Sequence, residues 1–370
     1  MKILISCLSL SWGGMEMISI TTTEYLRRRG HSAELLCYYN SKMFTEAKLR
    51  NIPVLGYKKF CFFWLAELLR FSKKLDNYDV IHTQASKDLN FLVPALKMRK
   101  LKTPLLLTKR VGSYINKKDI YHRWVYNRLT YALAISEVIA KNLVDTCPLS
   151  TDKVLLVHNG VDSNKFDPSK IDSKKVRNEF HISDKIILIG MLARFSWGKG
   201  HEEFLFAANK LKEKYEDIRF MIIGEPSYGE EEYANKIKQM CVDYNIEDIV
   251  IFTGFRKDTP DVLAALDIFA FPSHSEAFGN ALVEAMSMGK PSVCSASDGV
   301  LDIAVDSYTS YLFKKQDAVD FTNQLEKLII SKELRESFGR NARKRVLENF
   351  DMEIYINNLV AIYEKSLGKI

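Results

Sequence analysis

Two glutamates, Glu276 and Glu284, stand eight residues apart in the string Ser275-Glu276-Ala277-Phe278-Gly279-Asn280-Ala281-Leu282-Val283-Glu284, directly after the apolar run Ile268–Pro272. Read as strand, loop and helix, this string leaves Glu276 in the loop and opens the helix at Gly279. The backbone N–H groups of Phe278, Gly279 and Asn280 are then unpaired donors at the positive end of a helix dipole, which suits a phosphate. Glycine there lets a ligand come close to the backbone. Glu284, one to two turns in, can accept hydrogen bonds from a vicinal diol such as ribose, while Glu276 faces whatever lies beyond the phosphates. The bland alternative is a pair of acids near the start of an ordinary helix.

A second string, Gly190-Met191-Leu192-Ala193-Arg194-Phe195-Ser196-Trp197-Gly198-Lys199-Gly200, also runs from an apolar segment into a helix. Arg194 and Lys199 on a glycine-bearing loop can neutralise a diphosphate; a solvated basic loop is the alternative. A third, Ser11-Trp12-Gly13-Gly14-Met15-Glu16, follows the first apolar run. It is not G-x-G-x-x-G, so a nicotinamide-binding oxidoreductase is disfavoured, although paired glycines before a helix still offer anion-binding amides. No D-x-D triplet or His/Asp cluster with ligand spacing is present, so no metal site is expected. Arg194, Lys199 and the amides of residues 278–280 would take a metal's electrostatic role. The six cysteines are scattered without a C-x-x-C pair, which reads as buried free thiols in a reducing compartment.

These loops need a scaffold, and the rest of the chain supplies one. Short apolar runs alternate with helical patterns in two series. The first has strands expected at Lys2–Leu8, Ser32–Tyr38, Tyr78–His82, Pro104–Thr108, Ala132–Ser136 and Val154–His158. The second has them at Lys185–Leu192, Arg219–Gly224, Ile249–Thr253, Ile268–Pro272 and Pro291–Cys294. Such alternation predicts an α/β protein of two Rossmann-like, doubly wound domains facing a cleft. The first is expected over 1–166, with the C-terminal helix 352–370 returning to it, and the second over 167–351. At 370 residues two domains are also what length suggests.

The net charge of +7 is uneven. Residues 1–150 hold 24 Lys/Arg against 11 Asp/Glu, and the remainder 29 against 35. An anionic partner for the first half follows. No nucleic-acid module signature is visible. The run from Lys58 to Lys74, aromatic with flanking lysines, reads either as an anionic-membrane contact or as a crossover helix packed on a sheet. No apolar run reaches a bilayer span, and the N-terminal run lacks the small-x-small cleavage site of a signal peptide, so a cytoplasmic location is expected.

Taken together the strings resemble the GT-B glycosyltransferases of family 4 (group 1), retaining nucleotide-sugar enzymes, over nearly the whole chain. The family pattern E-x7-E followed by E-A-M-x-x-G-x-P matches Glu276, Glu284 and the residues to Pro291. Its G-G-x-E matches Gly13, Gly14 and Glu16, and its N-G-V-D-x-x-x-F matches Asn159 to Phe166. The resemblance implies that Glu276 contacts the transferred sugar, Glu284 holds the ribose, and Arg194 and Lys199 hold the diphosphate. It places Phe255 near the nucleobase, and Gly13, Gly14, Ala277, Phe278, Gly279 and Asn280 around the donor. Asp79-Val80-Ile81-His82 matches a family strand, with His82 read as structural.

Two departures stand out. Where the family often has a sugar-contacting histidine, this chain has Arg110, which can bind a hydroxyl, an acidic group or simply a phosphate. Where the family carries G-G-x-x-E, this chain has Ser297-Asp298-Gly299-Val300-Leu301-Asp302. The implied activity is metal-independent transfer of a hexose-type sugar from a UDP- or GDP-sugar to a cell-envelope glycolipid or polysaccharide. Glu276, Arg194, Lys199 and Arg110 would carry the chemistry, with no resident cofactor. Lys117, Lys118, Arg123 and Arg128 are expected to face the acceptor, and peripheral attachment to the inner face of the membrane fits the basic half. The rival readings are a catalytically inactive nucleotide-binding scaffold, and a nucleotide-sugar synthase or phosphorylase on the same fold.

Overall fold

The computed structural model describes residues 1–58 and 64–369. The chain divides into two compact units, one of residues 1–158 with 353–370, the other of residues 159–352.

The first unit is built on a seven-stranded sheet: β1 (Lys2–Ser6), β2 (Ser32–Tyr38), β3 (Val54–Tyr57), β4 (Val80–Thr83), β5 (Leu105–Lys109), β6 (Tyr131–Ala134) and β7 (Val154–Leu156), in the order 3-2-1-4-5-6-7. Every pairing is parallel. The strands are apolar on both faces because helices cover both, as in Ile3-Leu4-Ile5 and Leu105-Leu106-Leu107, all without exposed surface. The order reverses between β1 and β4, which makes their carboxyl ends the switch point where open α/β sheets bind ligands. The C-terminal segment 353–370 belongs to this unit. The hydroxyl of Tyr363 meets His82 Nδ1 at 2.6 Å, and Arg29 pairs with Glu353. His82 is fully buried, with Nε2 against Thr108 Oγ1 at 2.7 Å. Burial, with the Arg110 charge, pushes its pKa down to about 3, so it is a neutral, fully bonded core histidine.

Of the aromatic run between Lys58 and Lys74, residues 59–63 lie outside the described residues. The helix Trp64–Leu75 buries Leu68, Phe71 and Leu75, with Phe71 against Phe91 at 4.6 Å, while Arg70, Lys73 and Lys74 stay in water. Its described apolar face is therefore used in packing on the helix Leu89–Met98.

The second unit carries β8 (Ile187–Leu192), β9 (Ile218–Ile223), β10 (Val250–Gly254), β11 (Ile268–Phe271), β12 (Ser292–Ser295) and β13 (Ser310–Phe313), ordered 10-9-8-11-12-13 and all parallel. Its switch point falls between β8 and β11. Residues 159–166, assigned on the sequence to the first domain, belong to this unit. The physical reason is local: the Val161 N–H donates to Phe350 O at 2.8 Å, and Ser287 Oγ donates to Phe166 O at 2.9 Å.

Candidate active site

In the second unit the loops leaving the switch-point strands β8 and β11 lie against one another. The Gly198 carbonyl accepts the His274 N–H at 2.8 Å. Gly200 holds a φ of +81°, and a Cβ on it would lie 2.3 Å from Pro272 O. Only glycine allows that approach. At the tips of the two loops Lys199 Nζ donates to Glu276 Oε1 at 2.6 Å, with both side chains mostly buried. The ammonium and the carboxylate expected to serve adjacent parts of one ligand are thus neighbours. Arg194, at the start of the same loop, is exposed and donates to Ser227 Oγ at 3.0 Å. It stands with the loop after β9 and is not bonded to Glu276.

The helix Asn280–Ser287 begins as expected after Gly279, whose φ of +122° is a glycine conformation. Phe278 is buried on Phe350, ring centroids 5.9 Å apart, so only its backbone is available to a ligand. The exposed Asn280 is held by Asn159, Nδ2 to Oδ1 at 3.0 Å. Glu284 is half-buried, and its carboxyl makes no side-chain hydrogen bond among the described residues. Burial pushes its pKa up to about 7, only partly opposed by Lys165. An under-bonded carboxylate one turn inside the helix is a polar group awaiting a partner. Phe255, just beyond β10, is 59% exposed. Ser297-Asp298-Gly299, the departing string, backs this site: the Gly299 N–H donates to Glu276 O at 3.0 Å and a Cβ on Gly299 would lie 2.5 Å from Ala277 O. Its glycine is needed for that contact.

One residue escaped the sequence reading. His274, buried between the strand end and Ser275, places Nε2 2.7 Å from Glu203 Oε1 and its ring edge-on to Trp197. With its backbone bond to Gly198 it ties both loops to the helix His201–Lys212. A lone histidine beside a catalytic-looking string carries no sequence signal of such a role.

In the first unit a cavity of about 790 Å³ opens at the carboxyl ends of β1 to β5. Arg110 lines it, with Nε and Nη2 on Gln84 Oε1 at 3.1 and 2.6 Å. Lys109 and Lys117 line it as well. Gly13 caps the helix Gly14–Arg28, with Glu16 buried in its first turn. Arg128, expected to face an acceptor, instead donates to the carbonyls of Leu101 and Thr103 at 2.9 and 2.7 Å and so fastens a loop. Among the described residues no three His, Cys, Asp or Glu side chains are grouped to hold a metal, and no helix is long and apolar enough to cross a membrane.

The comparisons with known proteins bear on this geometry. Residues 12–165 match the family model described as Glycosyltransferase Family 4, and residues 172–345 the one described as Glycosyl transferases group 1. The chain is 27% identical over 345 residues to the N,N'-diacetylbacillosaminyl-diphospho-undecaprenol alpha-1,3-N-acetylgalactosaminyltransferase of Campylobacter jejuni, covering 88% of this chain and 85% of that one. Its fold is similar to that of a glycosyltransferase from Rickettsia africae, with a TM-score of 0.89 at 21% identity over 99% of this chain and 98% of the other. It is also similar to Anabaena HepE in complex with UDP and glucose, with a TM-score of 0.83 at 22% identity over 98% and 99% of the two chains. With two parallel doubly wound sheets and both family models matched in chain order, the chain belongs to the GT-B glycosyltransferases of family 4.

Proposed function

We propose that the protein transfers a hexose-type sugar from a UDP- or GDP-sugar to a cell-envelope glycolipid or polysaccharide, with retention of configuration and without a metal. The observation that carries this reading is the contact between Lys199 and Glu276 at the switch point of the second sheet. In a nucleotide sugar the phosphate is joined directly to the sugar, so groups that serve them must be neighbours. Lys199 and Arg194 then neutralise the leaving diphosphate, the amides of residues 278–280 add fixed dipoles, and Glu276 holds a hydroxyl of the transferred sugar. Glu284 gains the partner it lacks when a ribose diol arrives, and the exposed Phe255 offers its ring to the base.

The relative from Campylobacter, by its name, acts on a diphospho-undecaprenol-linked sugar, which supports an envelope acceptor here. An acceptor of that kind brings the enzyme to an anionic bilayer on its cytoplasmic face. The first unit exposes Tyr114, Ile115, Ile120, Tyr121 and Trp124 beside Lys118 and Arg123, a mixture suited to a headgroup layer.

A thermal-shift panel of UDP-, GDP- and ADP-sugars, followed by donor hydrolysis and product analysis, tests the reading. One nucleotide class should stabilise the protein and be hydrolysed slowly without acceptor. Binding without any turnover of sugar would point instead to a scaffold subunit, and net synthesis or phosphorolysis to the synthase or phosphorylase alternative.

A further inference from the structure

The ring of His274 is held from three directions. Its Nε2 donates to Glu203 Oε1 at 2.7 Å, and Gln316 Nε2, on the loop after β13, donates to its Nδ1 at 3.2 Å. An amide nitrogen only donates, so the ring proton sits on Nε2 and points at the carboxylate. Trp197 covers one ring edge, with centroids 5.7 Å apart. His274 is 9% exposed and Glu203 7%. Among the described residues no lysine or arginine pairs with Glu203, and its Oε2 is buried without a hydrogen-bond partner. A carboxylate buried in this way costs stability. An apolar side chain in the same first turn of the helix His201–Lys212 would carry no such cost.

What the pair holds is the spacing of the two charged groups at the loop tips. The His274 N–H donates to Gly198 O at 2.8 Å, one residue before Lys199, and Glu276 follows two residues after His274. Lys199 lies between Gly198 and Gly200, with φ of +85° and +81°, so its backbone has little stiffness of its own. The Glu203–His274 bond fastens the loop after β11 to the helix that the loop after β8 enters. The Lys199–Glu276 contact at 2.6 Å closes the same bracket at its far end. In a sugar diphosphate the leaving oxygen and the sugar hydroxyls are a fixed distance apart. A shift of either loop by about 1 Å therefore misplaces one charged group against the other.

We infer that His274, oriented by Glu203, is a positioning residue for sugar transfer: it sets the distance between the ammonium on the leaving diphosphate and the carboxylate on the sugar. It touches neither part of the donor and acts through Lys199 and Glu276. The inference rests on the glycosyltransferase reading above and adds His274 and Glu203 to the residues that serve it. Holding a nucleoside diphosphate engages Lys199 and the backbone amides, whereas breaking the sugar–phosphate bond engages Lys199 and Glu276 together. Loss of the positioning pair therefore appears in turnover and not in nucleotide affinity.

The test is donor hydrolysis by the full chain with UDP-glucose, UDP-N-acetylglucosamine and GDP-mannose, beside calorimetric titration with UDP and GDP and thermal melting. In that hydrolysis the anomeric C–O bond breaks with its electron pair going to the diphosphate, and water gives its hydroxyl to the anomeric carbon and a proton to solvent. E203Q keeps the side-chain volume, but its amide can turn an N–H to the ring and release the tautomer. It should lower kcat at least about tenfold, with nucleoside diphosphate affinity within about twofold of wild type and a melting temperature no lower. H274Q, whose amide can still donate to Glu203, should keep more turnover than H274A. Adding E203Q to H274A should cost no further turnover, since the pair acts as one unit. E203Q and H274Q decide the matter should H274A not fold. Wild-type kcat in E203Q overturns the inference. So does a kcat that falls only in step with melting temperature across the variants, which marks a structural tie and nothing more, and so does a loss of nucleotide affinity as large as the loss of kcat. Hydrolysis by wild-type protein that E203Q leaves unmoved defeats this inference alone. Hydrolysis of none of the three donors by wild-type protein overturns the donor reading, and this inference falls with it.

Discussion

The Lys199 ammonium and the Glu276 carboxylate, 77 residues apart in sequence, meet at 2.6 Å because β8 and β11 are adjacent strands that end side by side. A charge-assisted bond this short holds Lys199 close to Glu276, the acid proposed to hold the sugar, before any donor arrives. When a diphosphate enters, the lysine has only to turn from one anion to the next.

Replacing Lys199 by alanine should therefore leave folding intact and lower turnover at least about a hundredfold, the usual scale for removing one preorganised donor to a leaving group. Steady-state turnover beside far-ultraviolet circular dichroism measures this. Near-normal turnover in a folded K199A protein contradicts the role.

Glu284→Gln should separate stability from binding. The native carboxyl has a pKa raised from its ordinary value to about 7, so the folded state holds its proton more tightly than the unfolded chain. Its contribution is fully present below the unfolded pKa, near 4.5, and is lost as pH rises through 7. The neutral amide escapes that loss, so E284Q should melt a few degrees higher than wild type at pH 8 and about equal to it at pH 4. Nucleotide affinity should fall at least about tenfold at pH 8, because a charged acceptor for the diol is gone. A variant that melts lower at pH 8, or binds nucleotide unchanged, contradicts the assignment.

Gly200→Ala should act on the loop that carries Lys199. The alanine Cβ would sit 2.3 Å from Pro272 O at a φ of +81°, so β8 and β11 loops must part. A loss of about 1–3 kcal/mol in stability is expected, with turnover falling further than the stability loss explains. Denaturant unfolding and kinetics on the same preparation check both. Wild-type stability and rate together would show that the close approach is not needed.

Excess EDTA should change turnover less than twofold, since on the proposed reading Lys199, Arg194 and backbone amides, with no metal, neutralise the diphosphate. A tenfold loss restored by added magnesium or manganese contradicts this.

Much of this architecture was legible in the residues. The continuous apolar runs of the central strands marked them, because strands buried on both faces cannot alternate. The strands β3 and β13 escaped because each is a four-residue edge strand, one interrupted by Gly56 and the other opened by Ser310. The helix Lys332–Asn349 escaped because its buried stripe is only Phe338, Gly339, Ala342 and Val346 in an otherwise charged sequence. At the site, spacing within a string placed Glu276, Gly279 and Glu284 on their loop and helix. It carried no information on which string would touch which. The Lys199–Glu276 contact depends on strand order, and so does the His274 tie between the loops. Arg128 shows the converse: its charge suggested a ligand, and its neighbours turned out to be two orphan carbonyls.

The central claim is that the loops after β8 and β11 grip a sugar diphosphate, and a crystal structure of the protein with an intact UDP- or GDP-sugar tests it most directly. The account predicts diphosphate oxygens within hydrogen-bonding distance of Lys199 Nζ and of the amides at residues 278–280, a sugar hydroxyl on Glu276 and the ribose diol on Glu284. A nucleotide sugar bound elsewhere, with the Lys199–Glu276 pair undisturbed and Glu284 still without a partner, would contradict it.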